Sequence, residues 1–218
     1  MTKKASTRAS RIPGVKELQN DPSFRQILEL DFGDMIPFVL SNIKRRGISS
    51  FFYAFVNIGS LVAIVLFLVL ELAESHLSWI SILKQFGAGV FTGSILVIPV
   101  HEFLHGMAFR ILGSRKITYG ADMQQLIFFV TADRFPVSGR ELLFLAMTPF
   151  LVINTITIII VVVWLPQMIL FTAFFLISHN IMCIGDFAVV NYVLLHGKKI
   201  YTFDDVLGKK SYFYEDMA

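Results

Sequence analysis

Within an otherwise apolar run, His101, Glu102 and His105 stand in the order His-Glu-x-x-His. On a helix, residues four apart share a face, so both imidazoles can reach one metal ion. Glu102, one position along, is placed to reach a water near that ion rather than the ion itself. This is the arrangement of a zinc hydrolase, with two histidine ligands and a carboxylate as general base. In a stretch this apolar the three groups are costly, roughly 2.5–3.5 kcal/mol for each ionised group at the centre of a span. The bland alternative is a pair of buried histidines hydrogen-bonded to neighbouring helices.

A catalytic zinc needs a third protein ligand and an open position. The last apolar run offers Asp186, its sole carboxylate, and His179 seven residues earlier. Depth favours Asp186. Phe103 lies about ten residues from Gly113, and Asp186 about eleven from Gly197. At about 1.5 Å per residue, both sit roughly 15 Å from the inner helix ends. His179 is about two turns further out. Asn154 and Asn180 fall near the same layer. These two amides and His179 are candidate substrate contacts, since such groups can hold a carbonyl or the oxyanion that develops on it. Bridging helices is the other use of a buried amide. Cys183 reads as packing, and Gly87, Gly89 and Gly93 as points of close helix approach.

The elements that must position these residues are apolar and long. The chain has 218 residues, 55% hydrophobic and only 16% charged, where a soluble domain has roughly 25% charged. That composition belongs to a polytopic membrane protein, and nothing in it calls for nucleic acid. Four runs, at about 50–72, 87–112, 142–165 and 168–195, each meet the roughly 20 residues a span requires. The last two are joined by a tight hairpin around Leu165-Pro166-Gln167. The single cysteine excludes an intrachain disulfide. The opening forty residues lack the apolar core and cleavage site of a signal peptide.

Lysine and arginine set the orientation. The N-terminal segment holds nine, closing on Lys44-Arg45-Arg46, whereas the 71–86 loop holds one, Lys84. The 113–141 loop and the C-terminal segment are again basic. The positive-inside rule puts both termini and the 113–141 loop in the cytoplasm. Within that loop, residues 116–131 read as a β-hairpin whose second strand, Leu-Ile-Phe-Phe-Val, is apolar enough to lie in or against the membrane. Residues 1–49 read as a basic cytosolic tail with a possible interfacial amphipathic helix after about Phe24. Residues 50–195 read as the membrane domain and 196–218 as a cytosolic tail. The expected fold is an all-α membrane protein with about four transmembrane helices and a small membrane-associated hairpin.

The sequence His-Glu-Phe-Leu-His, then a hairpin, a span, and a span with a buried aspartate resembles the site-2-protease-like intramembrane zinc metallopeptidases. It is closer still to a bacterial family of small zincin-type peptidases of unknown substrate, whose fourth span carries a Gly-Asp pair, here Gly185-Asp186. The likeness covers roughly residues 85–215. It implies Zn²⁺ held by His101, His105 and Asp186, with Glu102 as the base. It also implies a bacterial cytoplasmic membrane, and a membrane-protein or peptide substrate that adds to the hairpin as an edge strand. Site-2 proteases carry Leu-Asp-Gly where this chain has Ile-Gly-Asp, and a proline near the position of Asn180 that is missing here. Two other functions fit the same residues: a zinc-binding scaffold or sensor without proteolysis, and a metal hydrolase acting on a non-peptide bond.

Overall fold

A computed structural model describes residues 12–73, 78–123, 127–197 and 199–217. In chain order the elements are α1 (Val15–Asn20), β1 (Phe24–Asp31), α2 (Met35–Ile43), α3 (Ile48–Ala73), α4 (Trp79–Phe91), α5 (Ile98–Ile111), β2 (Thr118–Asp122), β3 (Ile127–Thr131), β4 (Val137–Ser138), α6 (Gly139–Val163), α7 (Ile169–Met182), α8 (Ile184–His196), β5 (Ile200–Asp205) and β6 (Lys210–Asp216).

Three helical stretches among the described residues are long and apolar enough to cross a membrane: Ile48–Ala73, Trp79–Ile111 and Gly139–Val163. A fourth qualifies only if Pro166–Met182 and Ile184–His196, bent by 49° where they meet, count as one span. The second stretch starts earlier than the apolar run predicts, because Ser78 caps it by accepting from the Ser81 amide. Much of the expected 71–86 loop is therefore helix, and residues 74–77 lie outside the described part.

That second stretch is not uniform. Residues Thr92–Leu96 form a π-helical turn between α4 and α5. A Cβ on Gly93 would stand 2.3 Å from the Phe175 carbonyl oxygen, and one on Gly89 would stand 2.7 Å from that of Phe171. The two glycines thus let α4 and the π turn lie backbone to backbone against α7, as the small-residue spacing suggests. Gly87 has nothing within 4 Å, so it takes no part in that approach.

Helix α6 opens with a capping box: Ser138 Oγ accepts from the Glu141 amide while Glu141 Oε2 accepts from the Ser138 amide. Such a reciprocal pair satisfies two donors that the first turn leaves free. Pro149 sits inside α6. With no N–H, it leaves the carbonyl of Leu145, four residues back, without its helical donor. At the α7–α8 break, Tyr53 Oη of α3 donates to the Ile181 carbonyl at 3.1 Å, and Ser49 Oγ donates to that of Phe187 at 2.9 Å.

The terminal segments depart from expectation. In place of a tail and linker, residues 24–31 form a strand, and residues 200–216 form two more. With β4 they make a four-stranded antiparallel sheet in the order β1-β6-β5-β4. Its faces explain it. Leu18 of α1 covers Phe203 and Tyr214 on one side, while Leu30, Phe213 and Ile200 pack with Phe38 and Tyr192 on the other. Residues 1–11 of the expected tail and Lys198 lie outside the described residues. The hairpin at 116–131 is present as a separate two-stranded sheet, β2 with β3. Its first strand runs through Gly120, which leaves room for the Phe129 ring opposite. Residues 124–126 are outside the described part.

Candidate metal centre

Three side chains from two helices converge on one point. His101 and His105, four apart on α5, aim their Nε2 atoms at each other across 3.2 Å. Asp186, in the first turn of α8, places Oδ2 at 3.3 Å from His101 Nε2 and Oδ1 at 3.3 Å from His105 Nε2. All three side chains are largely buried.

Both imidazoles are oriented from behind. His105 Nδ1 lies 3.0 Å from the Leu145 carbonyl oxygen. A carbonyl can only accept, so Nδ1 carries the hydrogen, and Nε2 of the neutral ring keeps its lone pair for the centre. This is the carbonyl that Pro149 frees. His101 Nδ1 lies 3.2 Å from His179 Nε2. Metal-bound histidines characteristically commit their second nitrogen in this way, which fixes both tautomer and ring orientation.

The donor set suits zinc. Bonds of roughly 2.0–2.2 Å to a tetrahedral ion would set nitrogen and oxygen donors about 3.3–3.6 Å apart. The two distances of 3.3 Å lie at the short end of that range and the 3.2 Å between the imidazoles lies just below it. Two neutral imidazoles and one carboxylate leave one tetrahedral position open. His101, His105 and Asp186 would hold the ion. Glu102 follows His101 on α5 and is half-buried.

The remaining candidates divide. Asn154 of α6 donates through Nδ2 to Asn180 Oδ1 of α7 at 2.9 Å and to the Phe150 carbonyl at 2.8 Å. Here the two amides serve as a bridge between helices. His179 is fully buried against His101, behind the centre.

Two features were missed by reading the sequence. One is Gly106, directly after His105: a Cβ there would fall 2.0 Å from Tyr119 Oη of the hairpin. The glycine lets β2 dock on the same face of α5 as Glu102, four residues earlier. The other is a cavity of about 190 Å³ between the same helices, the hairpin and the four-stranded sheet, lined on its helical side by Phe109, Leu142, Leu145 and Val189. At its polar end Asp204 accepts from Ser211 Oγ at 2.6 Å and from Thr131 Oγ1. Burial pushes the Asp204 carboxyl above its ordinary range, outweighing the lowering effect of those two bonds.

A histidine pair with an adjacent glutamate and a carboxylate from another helix is the constellation of a zincin-type metallopeptidase centre. Residues 94–201, just under half of the chain, match the model of a family described as "Putative zincin peptidase". The matched stretch contains His101, Glu102, His105 and Asp186 together, and it supports a zinc peptidase. No curated protein and no solved structure matches the chain.

Proposed function

We propose that the protein is a zinc-dependent peptidase of the membrane, cutting a peptide bond within or close to the bilayer. The observation that carries this is the convergence of His101 Nε2, His105 Nε2 and the Asp186 carboxylate at tetrahedral spacing. Membrane residence rests on the apolar helices. Almost none of the α3 window is buried, and Phe51, Phe55 and Leu66 all stand more than half exposed. An apolar surface of that extent is unstable in water and ordinary in lipid. The distribution of lysine and arginine supports a cytoplasmic side for both termini.

Zinc held there would acidify a water and polarise the scissile carbonyl. Glu102 accepts the proton of the attacking water and returns it to the leaving amine. His105 and His101 stay neutral, held in the metal-facing tautomer by the Leu145 carbonyl and by His179. The two-stranded sheet leaves one edge of β2 outside its ladder. An extended substrate adds there, its main chain supplying the hydrogen bonds. Asn154 and Asn180 act by holding α6 to α7 rather than by touching substrate.

Glu102→Gln tests the assignment. It preserves size and a hydrogen-bonding amide while removing the base. Zinc content and fold should be retained, and turnover of membrane-protein substrates should fall by roughly 10²–10⁴. Substrates would be found as proteins that accumulate when the variant replaces the wild type. A Glu102→Gln protein with undiminished proteolysis refutes the role. One zinc per chain without any detectable proteolysis would instead favour a scaffold or sensor.

A further inference from the structure

Behind the centre, on the far side of His101, lies a second cluster of donor atoms. His179 and Cys183 are four residues apart at the end of α7, so they share a face. Cys183 Sγ is 3.7 Å from His179 Nε2, and His179 Nε2 is 3.2 Å from His101 Nδ1. The three donor atoms all lie within 4.8 Å of one another, and all three residues are buried. Tetrahedral zinc, with Zn–N of roughly 2.0–2.1 Å and Zn–S of about 2.3 Å, would set two nitrogens about 3.3 Å apart and nitrogen from sulfur about 3.6 Å apart. Both measured separations fall within about 0.1 Å of those edges.

We propose that His101, His179 and Cys183 form a second, thiolate-bearing metal seat that shares His101 with the first. It takes a second Zn²⁺ or a softer ion such as Cd²⁺, because a sulfur donor with two imidazoles selects thiophilic cations. The proposal rests on the reading that the first seat also binds metal.

The proton balance sets the order of filling. Without the second ion, His101 Nδ1–H donates to His179 Nε2. On uptake the ion takes the places of that hydrogen and of the Cys183 thiol hydrogen, so two protons are released for each ion bound. His101 then carries a metal on each ring nitrogen as an imidazolate. The first seat needs no such second deprotonation of His101, so it fills first.

Cobalt titration of the full-length protein in detergent tests this, since a thiolate-to-cobalt charge-transfer band marks sulfur ligation. Cys183 is the only cysteine in the chain, so the band has one possible source. The first equivalent of Co²⁺ should bind without the band, and the second should bring it in. Cys183→Ser and Cys183→Ala should lose the second equivalent and the band while keeping the first, which also shows that they are folded. If the second equivalent binds without the band, or no second equivalent binds, the seat is refuted and the peptidase reading stands. If the first equivalent already carries the band and survives Asp186→Asn, the chain holds a thiolate site alone, and the shared arrangement and the peptidase reading are both refuted.

Discussion

Pro149→Ala should raise stability and lower metal affinity, a pairing that few substitutions produce. Pro149 is fully buried within α6. Alanine restores the amide hydrogen that the Leu145 carbonyl lacks and removes the ring's clash with that turn, worth about 3 kcal/mol. Losing two ring carbons from a packed site takes back about 1.6 kcal/mol, at about 0.8 for each buried methylene. The net gain is about 1.4 kcal/mol. The new amide competes with His105 Nδ1–H, now 3.0 Å from that carbonyl. Weakening such an outer partner characteristically costs about 10–100-fold in metal affinity. That is about 1.4–2.7 kcal/mol, of the opposite sign to the stability change. Thermal unfolding of the metal-free protein reads the first quantity, and zinc competition against a chromophoric chelator reads the second. Affinity within about twofold of wild type, with stability raised, would show that the Leu145 carbonyl does not orient His105. A fall in both would point to a packing fault.

Asp186→Asn should lose zinc in the same chelator assay, since it removes the carboxylate facing both imidazoles; unchanged occupancy would remove Asp186 from the centre. Gly93→Ala should destabilise by about 1–3 kcal/mol, because its Cβ meets the Phe175 backbone and α4 and α7 must part. Gly87→Ala, with open space around it, should be neutral or stabilising by up to about 1 kcal/mol; equal effects at the two positions would refute the packing account. Asp204 supplies a pH dependence. Its folded-state carboxyl titrates above the ordinary range, so the native state holds the proton more tightly than the unfolded chain does. Its contribution is then greatest below the unfolded carboxylate range and is lost as pH rises through the raised value. Asp204→Asn should flatten that decline in a series of melting curves, and an unchanged slope would assign it to other groups.

The histidine pair was legible because its geometry is local. His101 and His105 lie one turn apart, and only the helix had to be inferred. Asp186 was legible through depth, since its distance from Gly197 runs along one unbroken helix, α8. His179 was harder. Counting residues put it two turns away, whereas the break at Cys183 lets α7 bring its Nε2 to 3.2 Å from His101. No proline marks that break in the sequence. Pro149 was visible, but its effect on His105 depends on α5 and α6 packing side by side. The four-stranded sheet was illegible for a different reason. Phe24 pairs with Asp216 and Asp31 with Lys210, and no local pattern announces a partner nearly the whole chain away.

That sheet also dictates a schedule. In the order β1-β6-β5-β4, the strand between β1 and β5 is the one translated after all the others. While the ribosome is still making the apolar helices, β1 has no neighbour to pair with. The helices carrying His101, His105 and Asp186 can assemble in that interval, but the wall of the cavity beneath them cannot. Closure at such long sequence separation is slow, so each new molecule passes through a period with His101, His105 and Asp186 gathered and the cavity beneath them open. A chain shortened by the eight residues of 211–218 would remain in that state.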